Sequence, residues 1–151
     1  MKKELKKDHT KVVLSGSAQE SLSSETPLYA GTVVSYGGLV LLARRIEICP
    51  FSKKPPPYAG HWSCFCGSIE KGETPLECAV RELKEETGFD FPVKNFKYAD
   101  TIERLVIFKY EVDSVLTPDL CYEHTESGWF KKSQLSVLPN PIDEKLLNLL
   151  K

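Results

Sequence analysis

GSIEKGETPLECAVRELKEETGF, residues Gly67 to Phe89, carries one helix with both of its ends marked. Thr74 suits an N-cap, Pro75 the first helical position, and Glu77 completes a T-x-x-E capping box. Leu76, Ala79, Val80 and Leu83 recur at helical spacing and predict a buried face. Gly88 is placed to close the helix in a left-handed conformation, after about three and a half turns. Glu82, Glu85 and Glu86 stand at i, i+3 and i+4, so their carboxylates share a face. Like charges that close repel, which is a cost to a helix that is only scaffold. A hard divalent cation, which prefers carboxylate oxygen and keeps several waters, would turn that cost into affinity. Arg81, four residues from both Glu77 and Glu85, is spaced to neutralise part of the cluster.

Gly67, Glu73, Arg81-Glu82-Leu83, Glu85-Glu86 and Gly88-Phe89 resemble the Nudix hydrolase signature, G-x5-E-x7-R-E-U-x-E-E-x-G-U with U bulky and apolar, at every defined position. A solvated charged helix matching by chance is the competing reading; the loop and both caps argue against it. The resemblance implies an α/β fold, a Nudix-type α/β/α sandwich with a mixed, partly antiparallel sheet. It implies hydrolysis of a phosphoanhydride in a nucleoside diphosphate linked to another moiety. Glu82, Glu85 and Glu86 would hold roughly one to three Mg²⁺ ions, or Mn²⁺. Glu85 or Glu123 would take the proton of the attacking water. By the same resemblance Gly67, Glu73, Arg81 and Gly88 are structural, with Glu73 and Arg81 orienting the acidic face.

The chain departs from the family pattern in one place. Family members commonly have Pro-Gly-Gly where this chain has Phe65-Cys66-Gly67, so Cys66 replaces a glycine whose carbonyl often coordinates the metal. The carbonyl survives any side chain, but glycine's conformational freedom is lost. His61, Cys64 and Cys66 lack the paired spacing of a zinc site, and we read the cysteines as ordinary thiols.

The bulk properties exclude several classes. A chain of 151 residues is the size of one domain with a real core, and we divide it into a tail at 1–25 and a Nudix hydrolase domain at 26–151. A formal charge of −1 carries no footprint of a general nucleic-acid or membrane-surface binder. No apolar run reaches a membrane span, and MKKELKKDH has no apolar core behind its lysines, unlike a secretory signal. Five cysteines, an odd number, suit free thiols in a reducing cytoplasm.

Outward from the helix, residues 1–25 are lysine-rich and then serine-rich, and read as a mobile tail or a loose edge strand. LYAGTVVSY and LVLLARR flank Gly37-Gly38 and predict a hairpin closed by Arg44 and Arg45. The family resemblance offers these arginines as phosphate contacts; a solvated strand end is the alternative. Residues 46–61, IEICPFSKKPPPYAGH, are too proline-rich for a central strand. By resemblance they wall the substrate pocket, with Lys53 and Lys54 near phosphate and Phe51 or Tyr58 near a base. Pro55-Pro56-Pro57 stiffens the loop or serves as a polyproline ligand.

WSCFCG reads as a short strand entering the signature loop, and FPVKNFKYADTIE and RLVIFKYEVD as two further strands. The family's ADP-ribose proline and dinucleoside-polyphosphate tyrosine are both missing around Leu105 to Ile107, so the substrate class stays open. Cys121 to Phe130 resembles a family segment whose glutamate supplies a further ligand or base. Glu123 is the first choice and Glu126 the second, with plain loop carboxylates as the alternative. His124 reads as a structural hydrogen-bonder. Lys132 to Leu135 reads as a short helical turn. NPIDEKLLNLLK predicts an amphipathic helix capped by Asn140, with Ile142, Leu146, Leu149 and Leu150 on one face. Some relatives read the nucleobase near Asn140; capping alone explains it here.

Two other functions stay in view. One is a catalytically silent Nudix domain that binds a nucleotide or a protein, against which the intact glutamate set argues. The other is hydrolysis at an RNA 5′ end, for which the balanced charge gives little support. Nucleoside triphosphates, dinucleoside polyphosphates, ADP-ribose and nucleotide sugars share one reaction centre, so the substrate is not legible. Many family members dimerise, which leaves a homodimer open.

Overall fold

The computed structural model describes residues 26–138, 142 and 144–150. The reading of residues 1–25 as a tail and the role offered for Asn140 lie outside the described residues.

Two apolar runs around a Gly-Gly pair form the expected hairpin, β1 (Tyr29–Tyr36) and β2 (Leu39–Arg45), with Gly37 at φ +58° in the turn. The strands pair only over Val34–Tyr36 and Leu39–Leu41 and then diverge. The segment after the proline-rich loop fills the gap between them. Its first part, β3 (Trp62–Ser63), pairs with β2 at Ala43 and Arg44. Its second, β4 (Phe65–Ser68), pairs with β1 from Tyr29 to Thr32. The stretch read as one strand is therefore broken at Cys64, because each half follows a different neighbour.

The chain continues through α1 (Pro75–Thr87), a 3₁₀ turn at Val93–Asn95, β5 (Lys97–Ile102) and β6 (Leu105–Glu111). FPVKN, expected as strand, is thus partly 3₁₀. β6 runs parallel to β1 along its whole length, and β5 pairs antiparallel outside it. β7 (His124–Lys131) lies antiparallel on the other edge of β2. A 3₁₀ turn at Lys132–Val137 and α2 (Glu144–Leu150) follow. The helix starts later than its sequence signals suggest. Ile142, expected on the helix face, instead forms a parallel bridge with Trp62.

Alternation along the strands explains the layers. Ala30, Val34, Leu41, Phe65, Val106 and Phe108 point to one face and pack under Ala79 and Leu83 of α1. Val33, Val40, Leu42, Trp62 and Ile107 point to the other, under Leu135, Leu146 and Leu150. A sheet apolar on both faces needs helices on both, and the seven-stranded mixed sheet has them. The five cysteines are all free thiols. Among the described residues no helix is long and apolar enough to cross a membrane.

Candidate active site

The helix that bears the glutamates is held at both ends as its sequence requires. Glu77 donates its backbone N–H to Thr74 Oγ1 at 3.1 Å, and Thr74 N–H donates to Glu77 Oε1 at 2.9 Å. At the other end Gly88 adopts φ +80° and donates to the Lys84 carbonyl at 2.8 Å. Glu77 is thereby committed to the cap; Arg81, expected to reach it, turns to other partners.

Those partners are the acidic residues of the loop and the helix. Arg81 Nε donates to Glu73 Oε2 at 2.6 Å and Nη2 to Glu73 Oε1 at 2.9 Å, a two-point grip. Nη1 donates to Glu82 Oε2 at 2.9 Å and to Glu85 Oε1 at 3.5 Å, and lies 3.7 Å from Glu70. Nη2 also donates to the Ser68 carbonyl at 3.1 Å, tying the helix to the end of β4. The hydrogen bond from Arg81 holds the Glu73 carboxyl below its ordinary range, and Glu73 in turn raises the guanidinium pKa further. Glu73 Oε1 accepts the Glu70 N–H at 2.9 Å, which closes the loop on itself with Gly72 left-handed at φ +83°.

Burial sorts the three helical glutamates. Glu82 is 2% exposed and Glu86 0%, while Glu85 is half-buried. Glu82 reaches its place because residue 67 is glycine: a Cβ there would fall inside the Glu82 carboxylate. Cys66 sits opposite Gly31 in the β1–β4 register, and a Cβ on Gly31 would overlap that of Cys66. The side chain that replaces the expected glycine is thus accommodated across the strand. Cys64, Cys66 and Glu86 are neighbours. The hydrogen bond with Cys66, burial, and Glu86 together push the Cys64 thiol well above its usual value.

Cys78 is a contributor the sequence reading missed. Its buried thiol donates to the carbonyls of Gly67 and Ser68, at 3.6 and 3.4 Å, under the loop. The available signal was its position one turn before Glu82 on the same face. Burial, reinforced by Glu82, raises its pKa, so it stays a neutral donor.

The remaining candidates divide by geometry. Glu123 is 3% exposed at the head of β7, and its carbonyl accepts the Ile46 N–H at 2.8 Å. Glu126 is exposed and lies 3.5 Å from Arg44, an ion pair on the rim, so Glu123 is the better-enclosed carboxylate of the two. His124 is buried and packs edge-on against Phe65, 5.5 Å between ring centroids.

Arg44 and Arg45, offered as phosphate contacts, are engaged in clamping the 46–61 loop. Arg44 Nε donates to the Gly60 carbonyl at 3.2 Å and its Nη2 pairs with Glu47. Arg45 Nε donates to the Pro57 carbonyl at 3.0 Å, and its backbone pairs with His61 and Gly60. Within this loop Lys53 and Tyr58 both hold positive φ, +64° and +58°. Phe51 and Tyr58 are 55% and 60% exposed, each edge-on to one ring, Tyr122 and His61.

The donor set fits a divalent metal ion by its chemistry. Glu82, Glu85 and Glu86 offer only carboxylate oxygen, and a single guanidinium faces the carboxylates of Glu70, Glu73, Glu82 and Glu85. That leaves a negative excess in a partly buried site, which a hard cation offsets. Among the described residues no three His, Cys, Asp or Glu side chains are already gathered so as to hold a metal ion, so the fit rests on the chemistry of the donors. An open oxygen-rich face suits an ion that retains water.

The family model for the NUDIX domain matches residues 27–150. The chain is 30% identical over 112 residues to the NAD-capped RNA hydrolase NudC of Chromobacterium violaceum, covering 69% of this chain and 41% of that protein. It is 36% identical over 97 residues to an RNA pyrophosphohydrolase of Erythrobacter litoralis, covering 62% and 51%. The chain thus spans about half or less of the length of these curated relatives. Among solved structures, the MutT protein of Methanosarcina mazei Go1 superposes with a TM-score of 0.62 at 21% identity, over 86% of this chain and 94% of that one. A mixed sheet between helices, with a capped acidic helix against a glycine loop, defines an α/β sandwich of the Nudix type. With the model matching nearly its whole described length, the chain belongs to the NUDIX domain family.

Proposed function

We propose that this protein is a metal-dependent pyrophosphohydrolase that cleaves a phosphoanhydride bond in a nucleoside diphosphate linked to another moiety. The observation that carries the reading is the burial of Glu82 and Glu86 on a doubly capped helix, against a strand, β4, that admits no side chain at Gly67. Burying two carboxylates is costly unless a cation compensates them, and Arg81 is shared with Glu70, Glu73 and Glu85.

Glu82, Glu85 and Glu86 would hold Mg²⁺ or Mn²⁺. The ion, when bound, supplies charge neutralisation for the diphosphate and acidifies water. Each protein group then has a task. Glu73 and Arg81 keep the acidic face in register with the loop. Cys78 steadies the loop carbonyls beside it. Glu85, the most accessible of the three helical carboxylates, or the enclosed Glu123 accepts the proton of the attacking water. The 46–61 loop, with Lys53 and Tyr58 held outward, meets the rest of the substrate. Nucleoside triphosphates, dinucleoside polyphosphates and nucleotide sugars all satisfy this description.

A polymer in the place of the second moiety is a distinct reading, favoured by the RNA-acting relatives. One panel separates these forms: each small nucleotide and a 5′-triphosphorylated RNA, incubated with Mg²⁺ or Mn²⁺ and resolved by chromatography. We expect turnover of at least one, falling on the order of a hundredfold or more in Glu86→Gln, with the fold intact by circular dichroism. Equal turnover by the variant would refute the assignment.

A further inference from the structure

At the hairpin end of the sheet, on the face covered by α2, lies a cavity of about 550 Å³ with Val33, Val40 and Leu150 in its wall and Lys97, Lys109 and Lys132 around it. It is separate from the acidic site. Ser35, also in its wall, is four residues along β1 from Gly31, which faces Cys66; at about 3.3 Å per residue that is ~13 Å.

The charges here are arranged unlike those of an ordinary solvated surface. Lys97 and Lys109 are direct cross-strand partners on β5 and β6, so two like charges face each other across one ladder. Among the described residues none of the three lysines takes part in an ion pair. The one carboxylate in the cavity wall, Glu111, has both oxygens engaged elsewhere. Ser35 Oγ donates to one at 2.6 Å and the Gly37 N–H to the other at 2.9 Å. Three exposed lysines thus stand around the cavity with one carboxylate among them, which Ser35 and Gly37 hold by hydrogen bonds and Lys109 attracts without forming an ion pair.

We infer that this cavity is a second ligand site, separate from the acidic centre, for a phosphorylated molecule whose phosphate groups its three lysines take. The volume is in the range of small-molecule sites, roughly 300–1,000 Å³. Such a ligand is either a free nucleotide or one nucleotide of an RNA strand.

Titration calorimetry on the full chain, without divalent cation so that the acidic centre does not recruit phosphate, distinguishes the two. The probes are inorganic pyrophosphate, adenosine 5′-diphosphate and a 5′-hydroxyl single-stranded RNA of about ten nucleotides. We expect Lys97→Ser/Lys109→Ser to bind at least about tenfold more weakly, with a shallower salt dependence. Hydrolysis should be unchanged, and thermal stability equal or higher, because the like-charge pair is gone. RNA bound far more tightly than the diphosphate identifies a strand; comparable binding identifies a free nucleotide. The inference is overturned if the wild type binds none of the probes. It is equally overturned if the double variant and Lys132→Ser bind as the wild type does, or if they lose stability while retaining binding.

Discussion

At Gly67 the space that a Cβ would need is filled by the Glu82 carboxylate. Gly67→Ala places a methyl group inside Glu82, so either β4 backs away or Glu82 rotates out. Both disturb the acidic face. Gly67 is only partly buried, near the end of β4, and we expect this variant to fold yet to lose activity about tenfold or more and to need a higher concentration of divalent cation for half-maximal rate. Glu73 gives a second prediction, in pH. Its folded pKa is depressed by Arg81, so between the folded and unfolded values the unfolded chain binds more protons. The stability it contributes is therefore present above the ordinary glutamate value, about 4.3, and lost as pH falls through the lower folded value. Urea unfolding across this acid window should show a gap between wild type and Glu73→Gln that narrows as pH drops. A gap constant with pH would mean the pair contributes no linkage.

The helix as an element behaves as its sequence says, and its first turn supplies the test. Thr74 and Glu77 cap two N–H groups reciprocally, and Thr74→Ala removes the Oγ1 acceptor of one of them, leaving the Glu77 N–H unmet while residue 74 still donates to Glu77 Oε1. The expected loss is about 1 kcal/mol in chemical denaturation. Because α1 also carries the glutamates, a frayed first turn should reach the loop through Glu73. Element boundaries were less legible where neighbours decide them. Trp62 to Ser68 looks like one strand, but splits at Cys64 because β1 and β2 diverge around it. The C-terminal helix shows the same limit: NP is a good start signal, yet the pairing of Ile142 with Trp62 draws the chain into a bridge first. Local start signals lose to a long-range contact that the sequence does not display.

In the whole molecule the sheet is the common floor of two cores, one beneath α1 and one beneath α2. Leu146, on the face away from the acidic helix, tests whether the second core supports the fold or only decorates it. Leu146→Ala should cost roughly 2–5 kcal/mol in denaturant unfolding while leaving the rate of the folded enzyme near wild type. A loss below about 0.5 kcal/mol would mean that α2 is loosely docked. Leu83→Ala, in the other core, should cost as much and also lower activity, because Leu83 sits between Glu82 and Glu86 on α1.

The sequence by itself determined the helix, its caps, the hairpin at Gly37-Gly38, the shared face of Glu82, Glu85 and Glu86, and the resemblance of Gly67 to Phe89 to the Nudix signature. All of these depend on residues within a turn or two of each other, where spacing and backbone preference suffice. Only the tertiary structure decided that Arg81 grips Glu73 rather than Glu77, that Glu82 and Glu86 are buried while Glu85 is not, and that Cys78 holds the loop. It also turned Arg44 and Arg45 inward to clamp the proline-rich loop, and brought Lys97 opposite Lys109. Each of these pairings joins atoms whose distance is set by how strands and helix pack, and packing distances are not written in spacing along a chain.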